Sequence, residues 1–451
     1  VGTPSPAASR HATLQNGISG LWRPQRHLRD SPKSSVVGAM RTAAVVLLAL
    51  LAPCAAQDAD LVLDSPTFTF FSLGDWGAAR DRDDDTARQE AVADQMKLRS
   101  ATNPPDLVLA LGDNFYQDGV TSTGDAAWND AWRNVYFDNA QDGTPSQLSG
   151  IPWLAMLGNH DYHQGDAAAG SQVTRTTSTT DDEWYMTDRF YNYVVQLSDG
   201  TRVTFVVIDT PGIAIHETDE TEEIYDQADV EANIARVEQA LQTASANTDF
   251  LFVLGHYPIQ SVAEHGNIQQ LQEAIRPLLL RYGVDAYMNG HDHSLQHIVK
   301  DGVHYLTSGA GCKVGYIQET FLIKRSSDSD PPVESVAGDV YYASVDSGFG
   351  YHVITGRTME NWFVDSNGDT VHSFDISAGR KCPDGDAEVC SSSGGGGGSD
   401  DGTDAGVIAG AVIGVIVGLA LIAAVVMYVT RGSDQGRKQL LEEEKANVDE
   451  L

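Results

Sequence analysis

Five short glycine-led motifs punctuate this chain: GDWG (74–77), GDNFY (112–116), GNHD (158–161), GHYP (255–258) and GHDH (290–293). Apolar, β-rich runs precede most of them, at Thr67–Leu73, 107–111, 152–157 and Phe250–Leu254. Each motif is therefore expected at the end of a strand, where glycine permits a sharp turn and close approach of a ligand. Segments 86–99, 126–136, 228–243 and 268–280 carry apolar residues at helical spacing. Strands alternating with helices predict an α/β fold with much parallel pairing, whose ligands gather at the carboxyl ends of the strands. Strands at 351–355 and 362–364 are expected as well, so a layered β-sandwich of two sheets flanked by helices accommodates both patterns. Two stretches rich in small and polar residues, 165–182 and 326–337, are expected to be surface loops.

Asp and Glu number 63 against 29 Lys and Arg among 451 residues, a formal charge of −34. That field repels nucleic acid, so no nucleic-acid-binding surface is expected, and a phosphate-bearing substrate has to be drawn in locally by bound cations.

Both ends carry targeting features. Residues 40–56 combine a basic start, a short apolar stretch and small residues before Gln57, the pattern of a secretory signal peptide. Residues 1–39 are then an upstream extension, non-native or disordered. Residues 57–380 form the folded domain and 381–404 a Gly/Ser/Asp-rich linker. The span 405–430 is long and apolar enough for a transmembrane helix, and the basic residues of the 431–451 tail place that tail in the cytoplasm. The expectation is a single-pass type I membrane protein of the secretory pathway with its catalytic domain outside the cell or in a lumen. Of the four cysteines, Cys382 and Cys390 are close enough to pair, which leaves Cys312 free, buried or partnered elsewhere. The acidic run 81–85 lacks the spacing of a calcium loop and reads as a helix start.

The motifs supply metal ligands. Asp75 and Asp113 offer hard anionic oxygens, Asn159 an amide oxygen, and His256, His291 and His293 imidazole nitrogens. One carboxylate can bridge two ions, and two metals about 3.5 to 4 Å apart suit in-line attack on phosphorus. One such motif is weak evidence; five in order, each at a strand end, are strong.

These five motifs resemble the signatures of the calcineurin-like metallophosphoesterases. Tyr116 within GDNFY resembles the purple acid phosphatase branch, and LALGDNFYQDGV, GHYPIQSVAEHG and YLTSGAG are most similar to its small tartrate-resistant type. The resemblance implies a metallophosphoesterase fold and a dinuclear centre of Fe(III) with a second divalent metal, Fe, Zn or Mn. It places Asp75, Tyr116 and His293 on the ferric ion, Asn159, His256 and His291 on the divalent one, and Asp113 between them. It further implies that His160 and His265 contact the phosphate, one of them acting as the acid, with the assignment between the two left open. The implied activity is hydrolysis of phosphate monoesters by a metal-bound hydroxide, with an acidic optimum. A phosphodiesterase or nucleotide pyrophosphatase using the same metals, and a catalytically silent receptor-like ectodomain, are the alternatives. His163, His297 and His304, close to the motifs, are expected to be supporting or structural.

Overall fold

A computed structural model describes residues 57–78, 83–178, 183–215, 221, 224–317 and 333–379. The expected extension, signal peptide, linker, membrane span, tail and Cys382–Cys390 pair lie outside the described residues. Among the described residues no helix is long and apolar enough to cross a membrane.

After a short β1 (Leu61–Val62), the first motif-bearing strand, β2 (Thr67–Leu73), leads to helix α1 (Asp83–Thr102) and β3 (Leu107–Ala110). A π-helical turn, Trp128–Arg133, runs into α2 (Asn134–Tyr136), followed by β4 (Trp153–Ala155), α3 (Asp166–Ser178) and β5 (Trp184–Tyr185). The hairpin of β6 (Tyr191–Gln196) and β7 (Arg202–Val207) precedes α4 (Gln227–Ser245), β8 (Phe250–Leu254), α5 (Gln269–Ala274), α6 (Arg276–Arg281) and β9 (Ala286–Asn289). The closing strands are antiparallel to one another where they pair, β11 also joining β9 in parallel: β10 (Leu295–Lys300), β11 (Val303–Ser308), β12 (Val333–Ser335), β13 (Gly338–Ser344), β14 (Gly348–Thr355), β15 (Thr358–Asp365) and β16 (Thr370–Ser377).

Two sheets result among the described residues. One runs β1-β6-β7-β8-β9-β11-β10-β13-β12 and the other β16-β15-β14-β2-β3-β4-β5. The central strands β2, β3 and β4 are mutually parallel, as are β7, β8 and β9. Period-two alternation divides their side chains between two buried faces. Phe68, Phe70, Leu107 and Leu109 meet Phe205, Phe252 and Met288 between the sheets. The opposite faces pack outward: Phe71, Val108 and Trp153 onto Val92 and Met96 of α1, and Leu251 and Val253 onto Val237 and Leu241 of α4. The expected sandwich flanked by helices is therefore the observed architecture of the domain.

Local chemistry sets the helix ends. Asp226 caps α4 by accepting from the backbone N–H groups of Ala228 and Asp229 at 2.8 and 3.0 Å, and Asp229 returns the bond. The single helix expected over 268–280 is two, because Pro277 lacks an N–H and lies in the first turn of α6.

Segment 165–182 departs from expectation: 166–178 is helix α3 rather than loop. Its inner face uses Ala169, Gln172 and Arg175 instead of large apolar residues, so it shows no hydrophobic periodicity. Gln172 donates to Asp161 at 2.7 Å, and the Arg175 guanidinium lies 4.0 Å over the Trp128 ring. In the second expected loop, 333–335 is the edge strand β12, paired with β13, and 326–332 lies outside the described residues.

His352 joins β14 to both of its neighbours. It stacks on Phe70 at 4.6 Å, and its ring nitrogens meet Ser72 Oγ at 2.9 Å and Asn361 Oδ1 at 2.7 Å. Burial lowers its pKa from 6.5 to about 4. The unfolded chain therefore takes up this proton first on acidification, so the stability linked to neutral His352 is present above pH 6.5 and lost as pH falls toward 4. The gap corresponds to roughly 3 kcal/mol. Urea melts at neutral pH and near pH 4.5 should lie closer together in His352→Gln than in the parent; an undiminished separation would rule His352 out as a source of the acid sensitivity.

Candidate metal centre

The five motifs follow β2, β3, β4, β8 and β9, so three come from one sheet and two from the other. Asp75, Asp113 and His291 have positive φ values of 58°, 47° and 66°, a left-handed backbone that costs residues bearing a Cβ about 1–2 kcal/mol each. The turn reverses the chain immediately after the strand and aims each side chain across the sheet ends. Hydrogen bonds hold these turns. Asp75 Oδ2 accepts the backbone N–H of His291 at 2.8 Å, and Asp113 Oδ1 accepts that of His160 at 3.0 Å. Gly158 is needed because a Cβ there would collide with the Asp113 carboxylate.

The side chains converge. The Tyr116 hydroxyl lies 2.9 Å from both Asp75 Oδ1 and Asp113 Oδ2, and 3.3 Å from His293 Nε2. His293 Nε2 is 3.5 Å from Asp75 Oδ1, and His256 Nε2 is 3.3 Å from Asp113 Oδ1. Donor atoms of Asp75, Asp113 and His256 all fall within 4.8 Å of one another. The His256 and His291 rings are 5.1 Å apart. Asn159 sits between Gly158, packed on Asp113, and His160, bonded to it.

Three buried atoms, Asn159 Oδ1, His256 Nε2 and His291 Nε2, have no hydrogen-bond partner. They are three of the buried side-chain atoms so placed among the described residues, and all three stand in the motifs, where a bound cation would satisfy them. His256 is oriented for this: its Nδ1 faces the Leu111 carbonyl at 2.9 Å, so that nitrogen donates and Nε2 keeps its lone pair when the ring is neutral.

Charge distribution fits the same reading. Burial pushes the Asp113 carboxyl up, but His256, His160 and His291 outweigh it and hold the group well below the usual carboxylate range. Burial lowers His256, whereas the Asp113 carboxylate lifts it to about 9. Burial and the neighbouring His256 and His265 keep His291 well below its ordinary value, and so neutral. Burial, then Asp113 and Asp75, push the Tyr116 phenol well above its ordinary value. A cation held by Tyr116 and His256 would have to displace their protons, so its binding would strengthen as pH rises.

His160 and His265 flank this cluster. His160 Nδ1 faces the Gln117 carbonyl at 2.7 Å, and its Nε2 lies 3.9 Å from Asp113 Oδ2. The ring of His265, an exposed residue, lies 4.0 Å from that of His291. His163 packs on His160 at 4.4 Å between ring centroids. His297 and His304 are not at the centre: with His372 they form an imidazole chain linking β10, β11 and β16, with 3.0 Å contacts on both sides of His297.

Sequence reasoning passed over the residues that hold the motif loops. Asp161 Oδ2 accepts from the backbone N–H groups of Gly158 at 2.9 Å and Asn114 at 3.2 Å. Asp292 Oδ1 accepts from the His265 N–H at 2.9 Å. Both acids stand inside the motifs GNHD and GHDH; burial raises the pKa of each, Asp161 to about 7, and an acidic residue directly beside a candidate ligand is the signal that could have found them.

Residues 68–295 match the calcineurin-like phosphoesterase family. The chain belongs to this metallophosphoesterase family. Tartrate-resistant acid phosphatase type 5 of Homo sapiens is 30% identical over 336 residues, covering 73% of this chain and 95% of that protein. Purple acid phosphatase 17 of Arabidopsis thaliana is 32% identical over 255 residues, 54% of this chain and 68% of that protein. Among solved structures, GAP50, the anchor in the inner membrane complex of Plasmodium, aligns with a TM-score of 0.56 at 23% identity, covering 70% of this chain and 90% of that one, a likeness of fold.

Gly158→Ala probes how closely this site is packed. The added methyl forces the Asp113 carboxylate aside, so phosphoesterase turnover should drop by about a hundredfold, with less metal retained per chain by elemental analysis. Full metal content and full turnover would show that Asp113 does not need its observed position.

Proposed function

We propose that this chain is a purple acid phosphatase that hydrolyses phosphate monoesters to an alcohol and orthophosphate. In this reading Asp75, Tyr116 and His293 hold Fe(III), Asn159, His256 and His291 hold Fe, Zn or Mn as the divalent ion, and Asp113 bridges the two. The observation that carries it is the pair of contacts made by Asp113, whose Oδ2 meets the Tyr116 hydroxyl at 2.9 Å and whose Oδ1 lies 3.3 Å from His256 Nε2, with Asn159 Oδ1 and His291 Nε2 among the buried atoms left without a hydrogen-bond partner. The donor chemistry agrees: the phenol and carboxylate oxygens of one set are hard anions suited to a trivalent ion, and the amide oxygen and imidazoles of the other suit a divalent one. When bound, such a pair supplies Lewis-acid polarisation of the phosphoryl group and activates the attacking water.

The protein's own groups do the remainder. Asp113, whose Oδ2 meets Tyr116 and whose Oδ1 meets His256, would be shared by the two donor sets. His160 has its Nδ1 committed to the Gln117 carbonyl, which leaves Nε2 to donate to a phosphoryl oxygen when the ring is protonated. His265 stands on the His291 side at the exposed rim, where it can meet the leaving oxygen. Either can deliver the proton that the departing alkoxide needs.

The placement proposed with this activity is the secretory pathway: a signal peptide at 40–56, the catalytic domain at 57–380, a linker at 381–404, a membrane span at 405–430 and a cytoplasmic tail at 431–451. The composition of those segments supports it.

Asp113→Ala and His291→Ala should each abolish hydrolysis of an aryl phosphate monoester, and the parent should turn over the monoester faster than a bis-aryl phosphate diester. Either variant retaining parental activity would refute the metal assignment; a preference for the diester would refute the substrate class alone.

A further inference from the structure

Lys313 lies outside the five motifs, yet it stands over one of their side chains. Its Nζ is 4.5 Å from the centroid of the Tyr116 ring and pairs with Asp85 at the start of α1. Both side chains of that pair are only 12% exposed, so solvent screens the ammonium weakly.

The backbone around Lys313 is anchored on both sides to the metal-site loops. Gly311 N–H donates to the Gly74 carbonyl at 3.1 Å, Cys312 N–H to that of Asp75 at 2.8 Å, and Gly315 N–H to that of His293 at 2.9 Å. Arg88 completes the frame, donating to the Cys312 carbonyl at 3.2 Å and to Asp85 at 3.3 Å. Cys312 itself is a buried free thiol packed with Ala78 and Tyr116, and the His160 ring meets the Tyr116 ring edge to face at 4.6 Å. The ammonium is thus fixed over the π-face, while the phenol oxygen points at Asp75, Asp113 and His293.

We propose that Lys313 is a positioning residue that acts through Tyr116, lowering the electron-donor strength of the phenolate by placing a fixed cation on its ring. The inference rests on the reading in which Tyr116 bonds the ferric ion. A positive charge over an aromatic face stabilises the ring's π electrons. Those electrons supply both the phenolate-to-iron charge-transfer absorption and the donation that favours the ferric state. Lys313 therefore moves the absorption to higher energy and makes the iron easier to reduce. Asp85 opposes it by partly neutralising the ammonium.

The test is the visible spectrum and the reduction potential of the purified full chain loaded with iron. Lys313→Gln should shift the charge-transfer band to longer wavelength by roughly 10–20 nm and move the potential negative. Lys313→Arg, which keeps a cation able to stack on the ring, should stay close to the parent. Asp85→Asn, which removes the negative charge of Asp85 from beside the ammonium, should shift the band the opposite way, a sign reversal that mere loosening of the loop does not produce. If Lys313→Gln leaves the band in place, or Asp85→Asn moves it in the same direction as Lys313→Gln, the proposal is overturned while the Tyr116 assignment survives. A parent protein that binds iron and shows no such band overturns the Tyr116 assignment, and the role of Lys313 with it.

Discussion

Carboxylates that grip the backbone of a neighbouring loop hold this site together. Asp75, from the loop after β2, accepts the N–H of His291 in the loop after β9. Asp113, after β3, accepts that of His160, after β4. Asp161 returns a bond to Asn114, and Asp292 ties His265 into the same set. Side chains from four of the five motifs thereby fix the main chain of another loop, and the first of these bonds joins the two sheets. Buried charge-assisted bonds of this kind are stronger than neutral ones, which is what left-handed turns at three bulky residues require.

The sheets supply the rigidity on which those turns stand. Both faces of the central strands are apolar, so β2 and β3 on one side and β8 and β9 on the other are fixed in register by packing from within and from without. The GDWG and GDNFY loops join the outer layer too, because Trp76 and Phe115 pack edge to face at 5.5 Å, Trp76 against Trp153 and Phe115 against Trp128. A shift of the helical layer on that side is felt at Asp75 and Asp113. The same burial sets the electrostatics: desolvation magnifies the pull between Asp113 and His256 while keeping His291 neutral, so anionic and neutral donors coexist within one small volume.

Surrounding charge tunes the centre further. A chain with a net charge of −34 presents a repulsive field to phosphate esters at long range, so its attraction has to be local. The imidazoles of His160 and His265 flank the cluster, and the ammonium of Lys313 lies over the Tyr116 ring. In the proposed reading they act on different objects, the histidines on the substrate and Lys313 on the Tyr116 ring.

The strand ends and the order of the motifs were legible in the primary structure, because a turn at a strand terminus demands glycine, and Asp75, Asp113 and His256, which the fold brings within 4.8 Å of one another, could be picked out because a metal demands particular donor atoms. Helix α3 was not legible, since its buried face is made of Ala169, Gln172 and Arg175, whose burial depends on Asp161 and Trp128 being present to receive them. The same holds for the imidazole chain of His297, His304 and His372, which spans two sheets, and for Lys313, which is 197 positions from the ring it covers by the numbering of the chain (313 − 116). By itself the sequence determined which atoms could hold metal and where the chain would turn to present them. Only the tertiary structure decided which of those atoms are buried without a partner and which charges face them, because desolvation and Coulomb interaction depend on distances across the fold and not on position along the chain.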